Sequence, residues 1–168
     1  MKKAADPTSK FRFDHAFGPI CGQFSPRGLC SLVLPGGRHA VPPHSAPRPR
    51  VNDERVRLLL AALNRYFAGK PEPFDDIPLD FGPCTAFQER VWRALRDISW
   101  GKTETYGSLS QLLGYGTRAS RAVGTAMGRN PIPLVVPCHR VLASQGLGGF
   151  GAGLAWKREL LRIEGVEV

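Results

Sequence analysis

The sequence has no apolar run approaching the roughly 18 residues that a membrane-spanning helix needs. It has four cysteines, Cys21, Cys30, Cys84 and Cys138, and no C-x-x-C pair among them. The basic start Met1-Lys2-Lys3 has no apolar stretch behind it. These absences argue against a membrane helix, a secretory leader and a disulfide framework, and the expectation is a cytoplasmic protein with reduced thiols. A zinc site drawn from Cys21, Cys30 and His15, His39 or His44 would follow no compact zinc spacing, and both cysteines also read as small apolar strand residues. Acidic residues are scarce: 14 Asp and Glu stand against 23 Lys and Arg, a net charge of +9. That balance points to a polyanionic partner, with a basic protein lacking one as the alternative. It does not place that partner, because residues 1–84 carry 12 basic and 8 acidic side chains and residues 85–168 carry 11 and 6, or +4 and +5.

The chain of 168 residues suits one large domain or two small ones. Phe11 to Ala16 alternates apolar and polar residues, and Ile20–Phe24 and Leu29–Leu34 follow with turns at Gly18-Pro19 and Ser25-Pro26-Arg27-Gly28. This pattern predicts a small antiparallel sheet. Five prolines in residues 35–50 predict an irregular connection. Val56, Leu59, Leu60, Leu63, Tyr66 and Phe67 recur at helical spacing and predict a helix over 52–68, ended by Gly69. The loop through Pro83, rich in Pro and Asp, is the expected domain boundary.

The second half reads as mostly helical. Thr85-Ala86-Phe87-Gln88 is a capping-box start, with Phe87, Val91, Leu95 and Ile98 as the buried face. A short helix over 108–113 stops at Gly114, and Thr117 is the expected N-cap of a helix whose apolar positions are Ala119, Ala122, Val123, Ala126 and Met127. Two short helices around a glycine-bearing turn predict a helix-turn-helix. Arg118, Arg121 and Thr125 share the polar face of its second helix, beside the small residues Ser120 and Gly124. Small side chains let a helix backbone approach DNA and arginine supplies charge, although a solvated face has the same composition.

Asn130-Pro131-Ile132-Pro133-Leu134-Val135-Val136-Pro137-Cys138-His139-Arg140-Val141 carries the chemistry. The apolar run Ile132–Val136 predicts a buried strand with Cys138 at its end, beside His139. A thiol is a weak nucleophile until it loses its proton, and a nearby imidazole can take it, directly or through water. Adjacent residues of a strand point to opposite faces, so adjacency alone does not establish the contact.

The run Pro137-Cys138-His139-Arg140-Val141, preceded by Asn130-Pro131, resembles the active-site signature of the O6-alkylguanine-DNA alkyltransferases (methylated-DNA–protein-cysteine methyltransferases). The resemblance continues through Phe87-Gln88, Val91-Trp92, Gly101-Lys102-Thr103, Tyr106-Gly107, Arg121-Ala122-Val123-Gly124, Ala126-Met127, Gly148-Gly149, Gly153-Leu154, Lys157, Leu160-Leu161 and Glu164-Gly165. It implies an α+β fold: a small N-terminal antiparallel sheet with a helix as scaffold (1–80), then a winged-helix-like DNA-binding and alkyl-acceptor domain (85–168). It implies that Cys138 accepts the alkyl group from O6 of a flipped guanine, that His139 is the base through a water, and that Glu164 orients it. Asn130 would brace the site, Tyr106 would supply a hydroxyl beside the target nucleotide, and Arg121 would fill the gap in the base stack. Arg118, Ala122, Gly124, Thr125 and Arg140 would join Arg121 and Tyr106 at the DNA, and Pro137, Val141, Phe150 and Gly151 would line the substrate pocket.

The resemblance further implies duplex DNA carrying alkylated guanine as partner, docking through the minor groove, a monomer that can load cooperatively, and no metal or organic cofactor. Phe150 stands where the family usually has Tyr, Gly151 lies where it often has Ser, and Trp100 replaces a common Tyr. A non-catalytic damage sensor, a helix-turn-helix regulator and a Cys-His hydrolase are the alternatives. The sensors of this type replace the acceptor cysteine, which is present here, and the hydrolase would need an oxyanion hole that no motif supplies.

Overall fold

Residues 9–37 and 53–168 are described by the computed structural model. The chain opens with an antiparallel meander of β1 (Ser9–Phe13), β2 (Ile20–Phe24) and β3 (Leu29–Val33). The first strand ends earlier than the alternation predicts, because His15 already belongs to the turn and its carbonyl accepts the Gly18 N–H at 2.9 Å. Phe11, Gly22 and Leu32 align across the sheet, and the register slips at Gln23–Phe24, which lets Leu29 face inward as well. Of the proline-rich stretch only residues 35–37 are described; 38–52, with His39 and His44, lie outside the described residues.

Helix α1 (Glu54–Phe67) starts at Asp53, whose side chain accepts the Arg55 N–H at 3.0 Å, slightly inside the expected span. It buries Val56, Leu59, Leu63 and Tyr66. The following segment, expected as a boundary loop, is tied back to the sheet. Leu29 N–H donates to Pro78 O at 2.7 Å and Asp80 N–H to Leu29 O at 2.9 Å. The Asp80 carboxylate accepts from Ser25 Oγ at 2.6 Å and from Arg27 at 2.7 Å. Gly28 is required at this crossing, since a Cβ there would lie 2.5 Å from Pro78 O.

Helix α2 (Ala86–Arg96) has the capping box expected from Thr85 and Gln88 and buries Val91, Trp92 and Leu95. Then β4 (Glu104–Thr105) leads into α3 (Tyr106–Leu112). This helix begins two residues before the expected Ser108, because Thr105 and Ser108 form a second capping box with serine in the reciprocal position. Thr117 is not the N-cap of the next helix. A 3-10 turn, Thr117–Ala119, intervenes, and α4 (Ser120–Met127) follows it. Helix α4 packs on both α2 and α3, and Trp92 Nε1 donates to Ala126 O at 2.9 Å. A two-residue strand β5 (Val141–Leu142), which periodicity does not signal, pairs in parallel with β4. Helix α5 (Leu154–Ile163) closes the chain.

The α+β class is therefore as expected: a small sheet with a helix, then a helical part holding the helix-turn-helix. One apolar cluster runs through both, from Phe11, Leu59 and Tyr66 to Leu95, Val123, Val136 and Leu160. Trp156 of α5 reinforces the junction, packing on His15 and Phe17 and donating its indole N–H to Pro35 O at 2.9 Å. This shared core is what brings α1 against the turn that carries Cys138.

Candidate active site

The segment 130–137 is not the strand that its apolar run predicts. Pro131, Pro133 and Pro137 have no N–H to give a ladder, and Leu134 adopts φ 78°, which breaks the extended path. An isolated Pro133–Val136 bridge is the strand-like feature it retains. Its backbone is satisfied locally instead. Val136 N–H donates to Ile132 O at 2.9 Å, and Asn130 bridges the loop, its amide donating to Val136 O at 2.9 Å and its Oδ1 accepting the Ile132 N–H at 3.0 Å. Leu32 N–H donates to Pro131 O at 3.0 Å and pins the loop to β3. Cys138–Arg140 then forms one 3-10 turn. Three successive side chains thus leave a turn, not a strand.

All three are buried, in different company. Cys138 Sγ lies 3.3 Å from the Asn130 amide nitrogen. Burial pushes the thiol up, against the Asn130 hydrogen bond and the charge of Lys157, so Cys138 rests as a neutral thiol. His139 is fully buried, with Nε2 2.7 Å from Glu164 Oε1. Burial lowers its pKa and outweighs the carboxylate, so the imidazole rests neutral. The contact with a carboxylate assigns the proton to Nε2 and leaves the lone pair on Nδ1. That Nδ1 is buried and finds no hydrogen-bond partner among the described residues.

Glu164 is the hub. Burial alone would raise its pKa, but His139 and Arg140 outweigh it and hold the carboxyl down to about 2. Arg140 Nε lies 2.8 Å from Oε2, and its guanidinium also donates to Oε1 at 3.1 Å and to Ile98 O. Tyr66 of α1 donates its hydroxyl to Oε1 at 2.7 Å, and the Gly101 N–H reaches Oε2 at 3.4 Å. Behind the turn, the fully buried Lys157 donates to Val141 O at 2.6 Å and to Gly149 O at 3.2 Å. Burial brings its ammonium down to about 8.

Cys138 borders two cavities. One, of about 240 Å³, is walled by Tyr106, Gly124, Met127, Phe150 and Gly151. It adjoins an open groove that shares Tyr106 and Gly124 and adds Arg121, Thr125 and Arg129. The other, of about 260 Å³, runs under β3 between Leu32, Val33, Pro133 and Phe150. Tyr106 roofs the approach. Gly148, at φ 69°, passes so close beneath that a Cβ would lie 3.0 Å from the Tyr106 ring.

Of the residues singled out in the sequence, Asn130 lies against Cys138 Sγ and Glu164 against His139 Nε2, two hydrogen-bonded pairs that meet at the 3-10 turn, and Tyr106, Phe150 and Gly151 line the cavity beside the thiol. Arg118, Arg121, Ala122 and Thr125 are exposed, with Gly124 half-buried next to Tyr106. Three expectations are corrected. Arg140, expected at the DNA, is buried with its guanidinium taken up by Glu164 and Ile98 O. Val141, expected in the pocket, is fully buried in β5. Pro137 borders a separate cavity behind the turn, with Trp100 and Arg96. Sequence reasoning missed roles for Tyr66 and Lys157. The signal for Tyr66 was a phenol within an apolar helix stripe, where a buried hydroxyl demands a partner.

Among the described residues, no cluster of His, Cys, Asp and Glu could hold a metal, and no helix is long and apolar enough to cross a membrane. Cys30 Sγ instead faces Gln23 O at 3.3 Å.

The fold and site together define an α+β protein with a buried thiol and an imidazole–carboxylate pair, opening beside the second helix of a helix-turn-helix in a basic chain. A family profile described as 6-O-methylguanine DNA methyltransferase, DNA binding domain, matches residues 86–166. The methylated-DNA–protein-cysteine methyltransferase of Methanosarcina acetivorans is 45% identical over 155 residues, covering 91% of this chain and 96% of that protein. Its namesakes from Metallosphaera sedula and Haemophilus influenzae are 43% and 47% identical over 64% and 66% of this chain, stretches that span 66% and 60% of those relatives. The solved structure of Mycobacterium tuberculosis OGT in complex with DNA aligns with a TM-score of 0.79 at 37% identity, over 92% of this chain and 91% of that one. The chain belongs to the methylated-DNA–protein-cysteine methyltransferase family.

Proposed function

We propose that this protein repairs duplex DNA by moving the alkyl group from O6 of a damaged guanine onto Cys138 Sγ, once per protein molecule. The single observation that carries the reading is the placement of Cys138 in one 3-10 turn with His139, itself bonded to Glu164, beside a cavity that adjoins the Arg121 face of α4. The neutral thiol and neutral imidazole define the starting state. His139 Nδ1 takes the thiol proton through a water, and the Glu164 carboxylate stabilises the imidazolium that forms. Cys138 Sγ attacks the carbon attached to O6, the S–C bond forms, and the C–O6 bond breaks with its electron pair moving into the guanine ring. Tyr106 supplies a proton to the departing base, and the proton first held on His139 restores the phenol. The sum is thiol plus O6-alkylguanine giving thioether plus guanine, with no metal or organic cofactor. The S–C bond of the thioether resists water and thiols, so the protein is consumed.

Arg121 is proposed to replace the flipped nucleotide in the stack, offsetting part of an unstacking cost of a few kcal/mol. Arg118 and Thr125 contact the backbone, and Ala122 and Gly124 let α4 approach the minor groove. Phe150 and Gly151 wall the guanine and its alkyl substituent without offering a hydroxyl. Residues 1–80 act as the scaffold and 85–168 as the DNA-binding and acceptor part of a cytoplasmic monomer that can load cooperatively on DNA. The test is the intact mass after incubation with a duplex carrying O6-methylguanine, followed by peptide mapping. A gain of one methyl group on Cys138, stopping at one per molecule and absent in Cys138→Ser, is expected. Tight binding without any gain in mass would overturn the transferase and make the protein a damage sensor.

A further inference from the structure

We propose that Tyr66, supplied by α1 from the N-terminal half, is a positioning residue of the acceptor relay: its hydroxyl holds Glu164 Oε1 in place under His139 and sets how strongly the imidazole takes the thiol proton. The inference rests on the reading of Cys138 as acceptor. Tyr66 is fully buried, and its hydroxyl donates to Glu164 Oε1 at 2.7 Å, the same oxygen that receives His139 Nε2 at 2.7 Å. The hydroxyl lies 3.4 Å from that Nε2, so phenol and imidazole converge on one acceptor. The ring cannot swing away. Trp100 and Phe67 meet it edge-on, with centroids 5.0 and 5.3 Å distant, and Phe74 packs at 5.8 Å.

A phenylalanine would fill the same apolar space. The hydroxyl is therefore the informative atom, and it is aimed at the carboxylate that must carry the charge of the relay. Every donor on Oε1 withdraws part of that carboxylate's hold on the imidazolium. The groups facing the pair are few. His139 and Arg140 come from the 3-10 turn, the Gly101 N–H from the segment before β4, the Tyr66 hydroxyl from α1, and the Lys157 ammonium acts on His139 from α5. Burial, and after it the charge of Glu164, raises the phenol well above its ordinary value, so Tyr66 remains a donor throughout the working pH range. Removing the hydroxyl concentrates the carboxylate on His139 and makes the imidazole more basic, while loosening the carboxylate's position.

The experiment is the rate of benzyl transfer from free O6-benzylguanine to Cys138, followed by intact mass from about pH 5 to about pH 9, since the acid limb reports the base. Wild type, Tyr66→Phe and a chain with 3,5-difluorotyrosine at position 66 are compared. No benzyl uptake by wild type would defeat the acceptor reading itself, before Tyr66 is at issue. With uptake established, Tyr66→Phe should move the acid limb up by about half a pH unit and slow the plateau rate about fivefold. Difluorotyrosine, a stronger donor, should move the limb down. In a Glu164→Gln background, Tyr66→Phe should cost nothing further. An acid limb that stays fixed in both chains, or an equal loss in the Glu164→Gln background, would reduce Tyr66 to packing. Should Tyr66→Phe fail to fold, the fluorinated chain decides alone: a fixed limb overturns the proposal and a lowered one supports it.

Discussion

The side-chain amide of Asn130 lies 3.3 Å from Cys138 Sγ and 2.9 Å from the carbonyl of Val136, so one residue holds both the thiol and the loop that presents it. Asn130→Ala removes the donor that favours the thiolate and takes the acceptor from the N–H of the fully buried Ile132, while the Val136 carbonyl keeps the Cys138 N–H. A hydrogen bond to a charged group is worth about 1.5–3 kcal/mol, which predicts transfer roughly ten- to a hundredfold slower. The orphaned N–H adds about 1–3 kcal/mol of lost stability. Single-turnover benzyl transfer and urea unfolding measure the two losses. A variant that transfers at the wild-type rate would take Asn130 out of thiol activation.

Arg121 is exposed on α4 and borders the open groove, while the cavity beside Cys138 is walled by other side chains. Its role is therefore separable from the chemistry. Arg121→Ala should slow repair of O6-methylguanine in duplex DNA about tenfold or more, as expected when a few kcal/mol of unstacking is less well offset. Attack on free O6-benzylguanine should change less than about twofold, because a free base needs no extraction. Equal losses on both substrates would refute the flipping role.

Acid should weaken the fold in two stages. His139 is held below its ordinary value by burial, so the unfolded chain binds that proton more readily and stability is lost as pH falls below about 6.5. Glu164, held at about 2 against an ordinary value of 4.5, contributes fully above that ordinary value and loses its contribution as pH falls towards about 2. The carboxylate shift corresponds to something on the order of 3 kcal/mol. Urea unfolding over this range should show wild type more stable than Glu164→Gln near neutrality, with the gap closing on acidification. A gap independent of pH would contradict the linkage.

The contrast between what was legible and what was not follows the range of the forces involved. Thr85 and Gln88 announce α2 because a capping box is a contact three residues long. The apolar spacing of Val123, Ala126 and Met127 identified the buried face of α4 for the same local reason. Pro137-Cys138-His139-Arg140 stood out in the sequence as the candidate site, but its conformation was not legible there. Periodicity registers the apolar side chains of Ile132 to Val136 and is blind to the N–H groups that three prolines remove. Arg140 reads as one more cation in a basic chain, and nothing local shows that its guanidinium closes on Glu164. Tyr66 and Glu164 lie 98 residues apart in sequence, and that pairing exists only once the shared core has brought α1 to the acceptor turn.

The burial of Cys138 as a neutral thiol also bears on how long an unused molecule stays useful. A protein that acts once has a capacity counted in molecules, and every stray oxidation subtracts one. The thiolate is the form that oxidants and adventitious electrophiles attack. By keeping the sulfur protonated and nearly closed to solvent, the fold would, under the proposed transfer to Cys138, preserve a reserve of intact acceptors between episodes of damage.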